Sequence, residues 1–261
     1  MSLYIKETGK NNDETIVFLH GDGIASWMWD KQIETFSNYH CIVIDLPEHG
    51  KSVEIKPFTM KSSAEMIIDI IKKRARNKKA HIVGISLGAQ IIVQILSTAP
   101  EVIDHAFISG AIARSVPPTE SFLKRLDHLI EIYVPVKNNN LLINSYMRSY
   151  NIPRSLFSNF KESTCIIKPD SSSRIIKETM LFKMPDGLEK ANVPVLVMTG
   201  EKDYRIVNES ARNLLNVLPN SKRASAPKSG HMWNMENPGL FNSSLKAWIT
   251  DNDLPESVKM P

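Results

Sequence analysis

"AHIVGISLGAQ", residues 80–90, decides the fold. An apolar run leads without a break into Gly84-Ile85-Ser86-Leu87-Gly88, and the apolar helical pattern "LGAQIIVQILSTA" follows at 87–99, with Pro100 where it cannot continue. G-x-S-x-G between a strand and a helix is a reversal too tight for side chains at the flanking positions, and it lifts the serine hydroxyl clear of the sheet. The same turn puts the Leu87 N–H at a helix start, where unsatisfied donors and the helix dipole favour negative charge.

Four more short apolar runs surround this one: "TIVFLH" 15–20, "CIVIDL" 41–46, "HAFISG" 105–110 and "PVLVMTG" 194–200. Their apolarity is continuous rather than alternating, which suits strands covered on both faces. The class is therefore α/β, a mostly parallel central sheet flanked by helices. The alternating "SLYIKET" 2–8 adds an antiparallel edge strand, and "SKRASAP" 221–227 a weak final one. "SSAEMIIDIIKKRA" predicts a crossover helix with a capping box from Ser62 to Glu65 and with Ala64, Ile67, Ile68 and Ile71 on one face. From Ala111 to Gly187 the alternation stops, and prolines separate segments of helical pattern. The expected organisation is core over 1–110, a helical insertion over 111–187, and core again over 188–261.

Composition bounds the function. A chain of 261 residues, 42% hydrophobic and 23% charged, suits one sizeable core plus an insertion and argues against disorder. The net charge is +4, and the basic cluster "KKRARNKK" 72–79 closes a helical pattern, so it reads as a solvated helix terminus and not a nucleic-acid patch. Cys41 and Cys165 stand in unlike surroundings, which speaks against a disulfide framework. "MSLYIKETGK" has no apolar signal core and no run is long enough for a membrane span, so a cytoplasmic monomer or homodimer with a small-molecule substrate is expected.

A serine hydroxyl needs a base, and the base an orienting carboxylate. Of seven histidines, His40, His81 and His105 open apolar strands and read as hydrogen-bonded structural residues; His49 lies in a loop and His128 in the insertion. His231 in "KSGHMWNMENP" follows the last strand and precedes a final helix, at the sheet edge that carries Ser86. "VMTGEKDYRIV" puts Asp203, with Glu201 as fallback, just past a strand end on that edge. Ser86, Asp203, His231 is the chain order of a triad assembled on such a sheet.

With these residues in place, the sequence resembles the α/β-hydrolase fold superfamily along nearly its whole length outside the insertion. The matching pieces are "HGDG" 20–23, "DLPEHGKS" 45–52, "GISLGA" 84–89, "GEKD" 200–203 and "SGHMWNMENP" 229–238. The resemblance implies an oxyanion hole from the N–H groups of Asp22 and Leu87, and a helical lid formed by the insertion. Two departures stand out. Glu48 occupies the first glycine of the usual D-x-P-G-x-G-x-S, and a carboxylate at Asp22 would oppose an oxyanion unless it turns away or is hydrogen-bonded.

Trp27, Met147 and Trp233 are candidate substrate contacts, though each also suits the core. Phe122, Tyr146, Phe157 and Phe182 join Met147 as a possible apolar ceiling, or as residues fastening the insertion to the sheet. "FLHGDG" followed by Asp45 also permits a dinucleotide reading, but Ser26 takes the third glycine position and the reading leaves the triad idle. Neither H-E-x-x-H nor a C-x-x-C pair occurs, so no metal and no cofactor are expected. The expected activity is hydrolysis of small or medium apolar carboxylic esters; thioester, lactone, amide or carbon–carbon hydrolysis by the same triad, and a non-catalytic receptor, are the alternatives.

Overall fold

Strands form where the sequence is continuously apolar, because each central strand is covered on both sides. Val17 and Leu19 pack into one buried cluster and Ile16 and Phe18 into another. The computed structural model describes residues 2–260; residues 1 and 261, the outer ends of the expected core segments, lie outside them. The first half of the chain runs β1 (Ile5–Thr8), β2 (Thr15–Leu19), α1 (Asp30–Thr35), β3 (His40–Ile44), α2 (Met60–Arg74), β4 (Ala80–Ile85), α3 (Leu87–Thr98) and β5 (Ile103–Ser109). Four helices without strands follow: α4 (Glu120–Tyr133), α5 (Asn140–Ser149), α6 (Phe157–Ile166) and α7 (Pro169–Leu181). The sheet resumes with β6 (Val195–Gly200), α8 (Arg205–Val217), β7 (Ser221–Ala226), α9 (Trp233–Glu236) and α10 (Pro238–Ile249).

The described residues form one seven-stranded sheet in the order β1-β3-β2-β4-β5-β6-β7. β1 is antiparallel to β3 and every other pairing is parallel. Buried residues of α2 and α3 cover one face, whereas Ile33 of α1 and Phe241, Leu245 and Trp248 of α10 cover the other. All the parallel strands point the same way, so the loops after β2, β4, β6 and β7 gather at one carboxyl edge, and α4–α7 contribute the roof above it. No helix among the described residues is long and apolar enough to cross a membrane.

One local expectation is corrected. The cap of α2 is Thr59, whose Oγ1 accepts from the Ser62 N–H at 3.0 Å, while Glu65 is exposed and caps nothing. The helix starts earlier because Thr59 is extended and the following Met60 is buried.

The glycines of the elbow are required by close approach. A Cβ on Gly88 would stand 2.3 Å from the Leu19 carbonyl oxygen and 2.8 Å from that of His20; one on Gly84 would meet the Gly88 backbone at 2.6 Å. Backbone cannot yield as a side-chain tip can. Gly88→Ala is expected to cost about 2 kcal/mol, a fall in Tm of roughly 4–8 °C by thermal unfolding.

Candidate active site

Ser86 sits at φ 54°, ψ −112° between β4 and α3, in backbone that a non-glycine residue occupies only when its surroundings enforce it. The enforcement comes from the Ser86 N–H, which donates to the Ser109 carbonyl at 2.8 Å, and from the Gln90 N–H on the Ser86 carbonyl at 3.0 Å.

Two loops bring the other groups. Asp203 follows β6 in a turn closed by its N–H on the Gly200 carbonyl at 3.1 Å. His231 follows β7, and its loop is tied to the acid's by the Lys202 N–H on the Ser229 carbonyl at 2.9 Å. The result is a direct pair, with His231 Nδ1 standing 3.0 and 3.1 Å from the two Asp203 carboxylate oxygens. The carboxylate is almost fully buried. An Nδ1–H donated to it leaves Nε2 as the acceptor, the tautomer that a general base needs. Ser86 and His231 line the same cavity of about 680 Å³, without a direct hydrogen bond between them among the described residues. Such contacts commonly close only when substrate binds.

Glu201 is turned elsewhere, accepting from the Lys228 N–H at 2.7 Å and pairing with Lys259. The Asp22 carboxylate is hydrogen-bonded, with Oδ1 3.3 Å from His49 Nε2. Among the described residues neither the Asp22 N–H nor the Leu87 N–H is engaged in a hydrogen bond, and the Leu87 group opens α3. His20 fixes the intervening loop: its Nδ1–H donates to the Gly21 carbonyl at 2.7 Å and its Nε2 accepts from the Leu46 N–H at 2.9 Å. Burial, helped by neighbouring His49, pushes this imidazole down to about 4, so it stays neutral. Asp45, the acid on which the dinucleotide reading relied, is buried and accepts from the Ser26 and Lys51 N–H groups at 2.7 and 2.8 Å. It braces a loop and presents nothing to a ribose.

The expected pocket wall needs correction. Trp233 is fully buried, stacked among Phe107 and Phe241 with its indole N–H on Ser109 Oγ at 2.8 Å. Met147 faces the core, and Trp27 donates to Ser163 Oγ at 2.8 Å, fastening the loop after β2 to the insertion. None of the three lines the cavity. Of the proposed ceiling only Tyr146 does. Phe122 stacks on Arg114, Phe157 packs against the core and Phe182 is buried in it.

The walls that sequence reasoning missed are Tyr150 and Tyr204, whose hydroxyls meet at 2.7 Å, with rings 5.8 and 6.3 Å from that of His231. Burial pushes the Tyr146 and Tyr150 phenols well up, so both are donors at neutral pH. The signal was present: "YMRSY" puts Tyr146 and Tyr150 one helical turn apart. Another bond across the same seam joins Asn151 Nδ2 to Glu236 Oε1 at 2.7 Å, while Glu236 Oε2 accepts from the Gly230 N–H beside the histidine at 2.7 Å.

Glu48 holds the insertion down. It holds a positive φ, 63°, a conformation that favours glycine, and its buried carboxylate accepts from the Phe58 N–H at 2.9 Å, the Ser171 hydroxyl at 2.9 Å and both arms of Arg174. Burial pushes this carboxyl up, but Arg174 and the two other donors outweigh it and hold it below the ordinary value of 4.5. A second fastening runs from the Met60 N–H to Glu178 Oε2 at 2.9 Å.

A strained G-x-S-x-G turn between strand and helix, an imidazole–carboxylate pair and inserted helices over the carboxyl edge of a mostly parallel sheet mark a class. Residues 14–135 match the family described as alpha/beta hydrolase fold, and the chain has that fold with inserted helices. It is 24% identical to an AB hydrolase superfamily protein of Gibberella zeae, over 95% of this chain and 84% of the other. It is 23% identical to a 2-hydroxy-6-oxononadienedioate/2-hydroxy-6-oxononatrienedioate hydrolase of Paraburkholderia phymatum, over 94% and 90%. Among solved structures, an esterase from Exiguobacterium antarcticum superposes with a TM-score of 0.80 at 20% identity, covering 95% of each chain.

Proposed function

We propose that the chain is a serine hydrolase of carboxylic esters of small or medium, mainly apolar character. The observation that carries this reading is the His231–Asp203 pair at 3.0 Å, opening onto the cavity that the Ser86 elbow also lines. Ser86 Oγ attacks the ester carbonyl while His231 Nε2 takes its proton. The N–H groups of Asp22 and Leu87 receive the oxyanion, His231 returns the proton to the departing alcohol, and a water activated by His231 then frees the acid. Apolar walls from Ile24, Ile143, Phe160 and Ile176 suit an acyl chain. A chromogenic ester series of increasing acyl length tests the proposal: turnover should peak at an intermediate length and then fall. No turnover of any member, together with no labelling of the protein by a fluorophosphonate, would favour a receptor.

Because the oxyanion contact uses the Asp22 backbone and the side chain is held by His49, Asp22→Ala is expected to change kcat less than tenfold, measured on the best ester of that series.

A second reading has one observation in its favour. Lys137 is buried in the cavity wall, its hydrogens taken by Asn138 Oδ1 and the Thr164 and Ile167 carbonyls, and among the described residues it has no carboxylate partner. Burial pushes it below the ordinary lysine value while the Asp22 carboxylate in the same cavity pulls the other way; a positive charge in this wall with no carboxylate in direct contact suits an acid-bearing substrate, as the dioate in the name of the Paraburkholderia relative's substrate would be. If so, half-esters of dicarboxylic acids have a lower KM than neutral esters of equal length, and Lys137→Met raises that KM about tenfold while sparing the neutral series.

A further inference from the structure

At the amino edge of the sheet, away from Ser86, β4 and β5 slip register. Ala80 pairs with Ile103 but Ile82 pairs with Ala106, so Asp104 and His105 together oppose the single residue His81. Neighbours in a regular strand point to opposite faces; an extra residue breaks that alternation and re-aims a side chain. Here it lets consecutive residues converge on His81. Asp104 Oδ2 lies 3.8 Å from His81 Nδ1 and Asp104 Oδ1 3.8 Å from His105 Nδ1, the imidazole rings are 5.1 Å apart, and one ligand atom from each residue falls within 4.8 Å of the others.

The two imidazoles sit at strand starts, where hydrogen-bonded structural histidines are expected, yet each keeps one ring nitrogen unpaired. Both are buried, and both Nδ1 atoms lack a hydrogen-bond partner. A buried polar atom without a partner is uncommon and calls for an explanation. Asp104, half exposed, touches no lysine or arginine among the described ion pairs; its only partners are these rings. On the far side of His105, Nε2 donates to Asp251 Oδ1 at 3.2 Å. That bond places the proton on Nε2 and leaves the Nδ1 lone pair directed at the cluster, the outer-shell arrangement that orients a metal-ligating histidine.

We infer that His81, His105 and Asp104 form a site for a divalent first-row transition ion, zinc by its donor set. Two imidazole nitrogens and one carboxylate oxygen suit zinc, with a fourth position left for water on the exposed side. Tetrahedral bonds of about 2.0–2.1 Å put ligand atoms roughly 3.4 Å apart, so the widest separation closes by up to about 1.4 Å on binding, a movement shared between the half-exposed Asp104 carboxylate and small shifts of the two rings. The ion clamps β4 to β5 and, through Asp251, the end of α10. Trp248 stands edge-on to His105 with ring centroids 6.1 Å apart and shares that environment.

Protein without a histidine tag, titrated with zinc chloride by calorimetry, tests the site. One ion per chain should bind with a micromolar Kd, and 100 µM zinc should raise Tm by about 5 °C. Cobalt(II) in its place should give visible absorption of a four-coordinate ion and quench tryptophan fluorescence. Asp104→Ala, a change at a half-exposed side chain, should weaken binding at least tenfold, His105→Asn should abolish it, and Asp251→Asn should weaken it about tenfold. His231→Ala should bind zinc as the parent does, which separates this site from the catalytic imidazole. No binding by the parent at 100 µM zinc, or an affinity unchanged by Asp104→Ala, overturns the inference. Should His105→Asn fail to fold, Asp104→Ala still decides.

Discussion

Replacing Ser86 with alanine is expected to lower ester turnover by about 10⁴-fold or more and to abolish fluorophosphonate labelling, with the fold intact. The size of the loss follows from the chemistry. On the proposed mechanism no acyl-enzyme forms without Oγ, and what remains is whatever the proposed oxyanion donors and the cavity do for direct attack by water. The backbone at 86 adds a second result. A residue with a Cβ at φ 54°, ψ −112° is strained, so Ser86→Gly should be as inactive as the alanine variant yet more stable, by about 1 kcal/mol, in thermal unfolding. Two readouts moving in opposite directions separate loss of a nucleophile from loss of structure. Labelling that persists in Ser86→Ala would place the nucleophile elsewhere.

Arg174→Met is expected to destabilise the protein by about 3 kcal/mol, because it leaves the fully buried Glu48 carboxylate without its cation. Glu48 would retain the Phe58 N–H and the Ser171 hydroxyl, which is why the loss is not larger. The pH dependence carries the signature. In the parent the folded carboxyl lies below its ordinary value of 4.5, so its stabilisation is full above that value and is lost as the pH falls through the folded pKa. In Arg174→Met burial is left largely unopposed and favours the protonated acid. The stability gap between the two proteins should therefore be widest above pH 5 and narrow as the pH drops, measured by urea unfolding across pH 3.5–8. The double variant Glu48→Gly/Arg174→Met removes the stranded charge and also relaxes φ 63°, and it should recover most of the loss. A gap that does not vary with pH would mean that Arg174 contributes packing alone.

The core was legible because its signals are local. Five continuously apolar runs became the central parallel strands, and "GISLG" announced the turn at Ser86 from sterics alone. Asp203 and His231 were found by position, just past strand ends on one edge, and the structure puts them in hydrogen-bond contact. The cavity wall was not legible. Which face of α5 points inward depends on how α4–α7 seat against one another, so the sequence suggests Met147 for the wall where Tyr150 stands, and proximity to His231 suggests Trp233, which Ser109 and Phe107 hold in the core. The Glu48–Arg174 pair spans 126 residues and the His81–Asp104–His105 cluster depends on a register slip. Neither has a spacing that a motif records. Glu48 did show as a departure at a glycine position, but its partner did not.

Glu236 holds an insertion residue with one oxygen and the histidine loop with the other, and Tyr150 reaches across the same boundary to Tyr204, next to Asp203. Separating α5 from the carboxyl edge would therefore break links to both the His231 loop and the residue next to Asp203.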